Sequence, residues 1–366
     1  MKPKGILALA FVVGLVETLG CSHREEGVNS QIPVEVGAII PLTGEVATYG
    51  ESLRRGFDLA ASRHNGRIRL VYEDSKADPK EGVTAMQKLL SRGVHFFLGD
   101  ATSGVSLALA PLAEDEKAIL LINIATSDDL TKAGSHVFRN CPPNRKQADA
   151  AAAFIKDRLR ANQVAVLAKA NPYGANLAKQ FRADAASHGL SITLDEEYDE
   201  SLNDFTPIIE RLKEVGPEAV FVPGNYEETA LLLRKAKELG FSKPFVGTDG
   251  AYSPELMKLA GTASEGFYLT MLGVNQGSLF YKDFSSAYRK RYNGEPDVFA
   301  AYGYEGAEVL FKEAETGASV EAVLKRLNTG TWPGLLGDVK FDADGEVLRP
   351  VSIFQVRNAH FVPYDK

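Results

Sequence analysis

Cysteine is almost missing from this 366-residue chain, which has two, Cys21 and Cys141. Two thiols build neither a disulfide framework nor a cysteine-based zinc site. Histidine is scarce as well, and none of the six stand three or four residues apart, so no helical metal pair exists. His64 and His188 fall near predicted helix C-termini, where a cation is mildly favoured. No Gly-x-Gly triplet, Walker loop or Gly-x-Ser-x-Gly elbow occurs, which removes the usual dinucleotide, nucleotide and hydrolase signatures. Glu114-Asp115-Glu116 reads as the solvated end of a helix rather than an acid/base pair. No run of Lys or Arg longer than Arg289-Lys290-Arg291 is present, and 41 basic against 48 acidic residues leave a net charge of −7. Phosphate backbones need clustered cations, so a nucleic-acid partner is excluded.

What is present is an ordinary globular composition, 45% hydrophobic and 24% charged, which rules out wholesale disorder. At roughly 100–200 residues per domain the length corresponds to two domains. The pattern from Val34 alternates strand and helix. Strands are expected at Val34–Ile40, Ile68–Tyr72, His95–Leu98 and Ala118–Ile122, with helices at Glu51–His64, Pro79–Ser91 and Ser103–Glu116. After a linker at Asn140–Arg145 a second series follows. It has helices at Gln147–Arg160, Tyr173–His188, Phe205–Val215 and Glu227–Leu239, and strands at Val164–Leu167, Ile192–Leu194, Ala219–Val222 and Phe245–Gly247. Strands separated by helices of this length imply right-handed crossovers and parallel sheets covered on both faces. Three more helices are expected at Leu279–Tyr292, Val298–Ala314 and Val320–Leu327. Val339–Phe341 and Val351–Val356, around Asp342-Ala343-Asp344-Gly345, predict a hairpin.

The N-terminus is read apart from the fold. Lys2 and Lys4 precede an apolar run of 11 residues, Ile6–Val16, short of the roughly 20 that cross a bilayer. Thr18-Leu19-Gly20-Cys21 resembles a bacterial lipobox, in which the cysteine is acylated. Residues 1–20 are then a signal peptide and 21–31 a polar tether. An ordinary secretory signal with an incidental cysteine is the alternative.

The candidate site residues share one kind of position. Thr102 and Ser103 follow one strand, Thr126 and Ser127 another, and Asp249 a third. Ligands of open α/β sheets bind beyond the carboxyl ends of strands. Hydroxyls at a helix start suit a carboxylate and Asp249 suits an ammonium, which describes a zwitterion. The competing reading makes Ser103 a cap, Thr126 a turn residue and Asp249 part of an Asp-Gly turn.

Several short segments then combine into one resemblance. Pro41-Leu42-Thr43-Gly44 with Tyr49-Gly50, Tyr72-Glu73-Asp74 with Asp78-Pro79, Gly99-Asp100-Ala101-Thr102-Ser103, Ala125-Thr126, Pro172-Tyr173-Gly174 and Gly247-Thr248-Asp249-Gly250 occur in the order of the type I periplasmic solute-binding family, in its branched-chain amino-acid branch. The resemblance implies two doubly wound parallel-sheet α/β lobes joined by three crossings, one of 32–143 plus 271–350 and the other of 144–270 plus 351–366. It implies that Ser103 and Thr126 take the ligand carboxylate, that the Ile124 carbonyl and Asp249 take the ammonium, and that Tyr49, Tyr173 and Phe299 line the side-chain pocket. Asn225 stands where relatives often carry an aromatic, followed by Tyr226. A first-lobe disulfide known in some relatives cannot form, because Thr102 replaces one cysteine. The implied function is capture of a small, aliphatic amino acid for the permease and ATPase of an ABC importer, on a membrane-anchored lipoprotein. No cofactor, metal or catalysis is implied. An amide, an aromatic acid or a sensing role are the alternatives.

Overall fold

The computed structural model describes residues 32–364. In the first lobe β1 (Val34–Ile40), α1 (Ala47–Ala61), β2 (Ile68–Asp74), α2 (Pro79–Leu90), β3 (Phe96–Gly99), α3 (Ser103–Asp115), β4 (Ile119–Ile122) and β5 (Val137–Arg139) follow in turn. The strands form a parallel sheet in the order β2-β1-β3-β4-β5. β1 is buried on both faces, as a strand covered by helices on each side must be. Ile39 packs with Met86, Leu89 and Val105, while Val36, Ala38 and Ile40 pack with Leu53 and Phe57 on the other side. Asp78 caps α2 by accepting from the amides of Lys80 and Glu81, and Pro79 occupies the first turn, where its missing N–H costs nothing.

The second lobe opens with α4 (Asn144–Asp157) and continues through β6 (Gln163–Lys169), α5 (Pro172–Ala185), β7 (Ser191–Tyr198), α6 (Thr206–Val215), β8 (Ala219–Val222), α7 (Tyr226–Glu238), β9 (Phe245–Gly247), α8 (Pro254–Ala260) and β10 (Tyr268–Leu272). The chain then returns to the first lobe as α9 (Leu279–Tyr292), α10 (Val298–Ala314) and α11 (Val320–Thr329), and comes back for β11 (Val351–Arg357) and β12 (His360–Pro363). The second sheet runs β12-β11-β10-β9-β8-β6-β7; it is parallel except that β11 is antiparallel to both of its neighbours. Thus the chain passes between the sheets three times, after β5, after β10 and before β11.

α10 is buried nearly all round and lies against α1. Gly56 makes that approach possible, since a Cβ there would sit 2.4 Å from the Ala300 carbonyl oxygen. The segment leading to β11 is pinned by a buried ion pair. Arg349 Nη2 donates to Glu305 Oε2 at 2.7 Å, Arg349 Nη1 donates to the Leu336 carbonyl at 2.9 Å, and the Leu336 amide donates to Glu305 Oε1 at 3.1 Å. Where the crossings meet, Glu346 accepts from both Arg139 and Arg145.

The expected hairpin between Val339–Phe341 and Val351–Val356 is not formed. Val339 instead exchanges backbone hydrogen bonds with Trp332, while β11 pairs with β10 and β12. The Asp342–Gly345 turn is real, but its outgoing arm bonds to Arg139, the last residue of β5. A turn signal fixes local geometry and says nothing about which distant strand an arm joins. The actual hairpin links β11 to β12 through Asn358 and Ala359, at φ 51° and 56°, as a primed turn requires. β5, β10 and β12, which the patterning did not anticipate, complete the two sheets.

Candidate functional site

The two sheets point strand ends at one cavity of about 520 Å³ between the lobes, within the usual range for small-ligand sites. Ser103, Ile124, Tyr49 and Phe299 from the first lobe and Tyr173, Asn225 and Asp249 from the second all lie on its wall. Thr126 is the exception. Its side chain is fully buried off the wall and its Oγ1 meets no partner among the described residues. Its carbonyl is engaged by the Asn144 amide at 2.7 Å, where the chain crosses to the second lobe.

The hydroxyl side of the cavity is built at the start of α3. Thr102 rather than Ser103 precedes the helix; its amide and hydroxyl donate to Asp100 Oδ1 at 2.7 and 2.8 Å. Ser103 is therefore the first helical residue. Its Oγ, almost wholly buried, accepts from the Ser127 amide at 3.2 Å and keeps its own proton to donate. Asp100 is enclosed behind this loop, and burial pushes its carboxyl up to about 6 against the hydrogen bonds from Ser75 and Thr102.

The opposite wall is built around Asp249, which opens a single helical turn after β9. Gln147 Nε2 donates to its Oδ1 at 2.9 Å and Tyr173 Oη to the same oxygen at 2.6 Å. Both bonds fall on Oδ1, and Oδ2 takes no side-chain donor among the described residues. Burial raises the Asp249 carboxyl to about 6, with Tyr173 and Gln147 opposing the rise. Burial, reinforced by Asp249, holds the Tyr173 phenol well above its ordinary range. Gly250 must be glycine: a Cβ would lie 2.6 Å from the Gly224 carbonyl and 2.8 Å from Tyr173 Oη.

Aromatic residues join the lobes over this site. Tyr49 donates to the Gly250 carbonyl and accepts from Asn225 Nδ2 at 3.4 Å. Its ring meets Phe299 edge-on at 5.3 Å and Tyr226 at 5.7 Å. Tyr226 in turn donates to the Glu45 carbonyl of the first lobe. Tyr226 thus reaches across the cleft to the first lobe but is not on the cavity wall, where Asn225 stands.

Sequence reasoning missed Gln147 and Lys169. Gln147 holds Asp249 through Nε2 while its Oε1 accepts from Thr270 at 2.8 Å; it lies in an alanine-rich helix with nothing local to mark it. Lys169 ends the apolar strand β6 and lines the cavity beside Glu45 and Glu200. A charge closing the apolar run 164–168, three residues before Pro172-Tyr173, was the available signal. Among the described residues no group of three His, Cys, Asp or Glu has metal-holding geometry. None of the described helices is long and apolar enough to cross a membrane.

Two α/β lobes meeting over a half-polar, half-aromatic cavity define a protein that encloses a small solute. The family model described as periplasmic binding protein matches residues 33–360, and the chain belongs to that family. It is 29% identical over 357 residues to the Leu/Ile/Val-binding protein homolog 2 of Brucella abortus (strain 2308), covering 94% of this chain and 96% of the relative. Among solved structures it resembles a leucine-binding protein from Thermotoga maritima MSB8, at a TM-score of 0.86 and 26% identity, over 91% of this chain and 98% of that one. It shares the fold alone with a benzoate-bound solute-binding protein of an ABC transporter from R. palustris, at a TM-score of 0.82 and 18% identity, over 91% and 95% of the two chains. The family implies an extracytoplasmic location, and its members here are solute-binding proteins rather than enzymes.

Proposed function

We propose that this protein is the solute-capturing component of an ABC importer and that its solute is a small α-amino acid. The observation that carries the reading is Asp249. A buried carboxylate on one wall, opposite the Ser103 hydroxyl at a helix start on the other, matches the two charges of a zwitterion. Ser103 takes the carboxylate, with Thr126 behind it, and the Ile124 carbonyl joins Asp249 on the ammonium. Tyr49, Tyr173, Asn225 and Phe299 enclose the remainder. The relatives' names put the branched-chain amino acids first among the candidates.

Capture works by hinge closure, with no bond made or broken. The contacts of Tyr49 and Tyr226 across the cleft exist only when the lobes are together. Small-angle scattering of ligand-stripped protein should therefore show the radius of gyration falling on addition of amino acid, and the melting temperature should rise with ligand concentration by mass action. Binding without any change in scattering would argue for a rigid pocket.

The lipid anchor at Cys21, the signal at 1–20 and the tether at 21–31 lie outside the described residues. We propose the anchor on the lipobox-like sequence. Each buried methylene of an acyl chain contributes about 0.8 kcal/mol of membrane affinity. Cys21→Ser should release the protein into the soluble extracytoplasmic fraction with solute affinity unchanged. Equal release of both forms by salt washing would remove the anchor.

A further inference from the structure

Lys169 is the cation that the second lobe contributes to the cavity wall. Its side chain is 3% exposed, and three carboxylates surround Nζ: Glu228 Oε1 at 3.3 Å, Glu45 Oε2 at 3.7 Å and Glu200 Oε2 at 3.8 Å. These are ion-pair distances, and among the described residues Nζ donates no hydrogen bond. Glu228 is already committed, its Oε1 accepting from the Asn225 amide at 2.6 Å. Glu45 and Glu200 are exposed and line the cavity with Lys169 itself, so the ammonium stands at the ligand space with its donors free. The three carboxylates compensate its charge, but N–H donors shut away from water are costly until an acceptor completes them.

We propose that the side chain of the preferred solute ends in a carboxamide, whose oxygen accepts from Lys169 Nζ and whose N–H donates to one of the carboxylates framing it. This rests on the amino-acid reading of the site and narrows it. A branched aliphatic end would leave the ammonium buried against methyl groups. A second carboxylate would enter beside three existing ones that a single ammonium already fails to balance. A carboxamide is neutral and offers an acceptor and a donor side by side, the complement of an ammonium flanked by carboxylates.

The test is calorimetric titration of the ligand-stripped protein with glutamine, asparagine, leucine and glutamate, repeated on Lys169→Met. The better carboxamide should bind wild type about ten- to a hundredfold more tightly than leucine or glutamate, the worth of a hydrogen bond to a charged group. In the Met variant that advantage should vanish, with leucine bound at least as well as by wild type, which also shows that the variant folds. Wild type ranking leucine or glutamate first overturns the proposal without any variant. So does a Met variant that keeps its preference for the carboxamide. Failure of wild type to bind any α-amino acid would instead overturn the reading of the whole site, so the two failures are distinguishable.

Discussion

Asp249→Asn should weaken binding of an α-amino acid by about thirty- to several-thousand-fold, the roughly 2–5 kcal/mol that follows from truncating one partner of a buried charge pair. The substitution keeps the shape and removes the negative charge. An ammonium enclosed between the lobes loses its water, and the Ile124 carbonyl alone cannot replace a carboxylate. The control is the des-amino analogue of the same solute. Wild type should reject it and Asp249→Asn should discriminate far less; a wild type preferring the des-amino form would move the protein to the aromatic-acid branch. Acidity should act on the same group. Because burial raises Asp249 to about 6 with the lobes together, the carboxyl is protonated below that pH in the closed, ligand-free geometry. Only the ionised form attracts an ammonium, so affinity should fall as pH drops through about 6, by up to tenfold per unit, and be flat in the Asn variant. For the ligand-free fold the sign reverses. Asp249 holds its proton more tightly folded than unfolded, so its contribution to stability is lost as pH rises through about 6.

Arg349→Met should lower the unfolding free energy of the ligand-free protein by about 3–5 kcal/mol, the usual consequence of stranding one member of a buried pair. Both side chains are 2% exposed. Burial already lifts Glu305 to about 7 while Arg349 pulls it down, so removing the guanidinium lifts it further. At neutral pH the variant must either bury a bare carboxylate or protonate it. Its deficit in a urea titration should shrink as pH is lowered, because acid supplies the proton. Adding Glu305→Gln should restore much of the loss, since a neutral amide still accepts from the Leu336 amide. A loss under about 1 kcal/mol at pH 8 would mean that water reaches the pair.

The sequence carried the architecture further than it carried the cavity wall. Buried parallel strands announce themselves as apolar runs between turn residues, so β1, β4, β6 and β8 were readable. β10 was not, because Thr270 breaks its short apolar run, and the return of β11 to its side depends on a partner some eighty residues earlier. Asp249 was legible because its place beyond a strand end is a property of the chain. Gln147 was not, since what ties it to the site is Asp249, a neighbour in another part of the sequence, whereas Lys169 had a local signal, a charge closing an apolar strand, that went unread. Thr126 shows the converse. Its position after β4 matched the expectation, but the crossing to α4 takes its backbone and leaves its side chain behind the wall.

The interleaving of the two lobes sets the order in which this chain becomes a protein. When residues up to β5 have been synthesised, α1 still lacks α10 and its inner face is bare. β10 waits on its edge for β11, which comes after every helix of the first lobe has been made. Neither lobe closes its core until the last fifth of the polypeptide is available. A chain built this way folds late, from contacts distant in sequence, and such contacts form slowly. Under the proposed secretion, in which the polypeptide is threaded through a translocation pore before folding, that delay would keep it unfolded while it crosses, and the fold would lock only after its C-terminal end has followed.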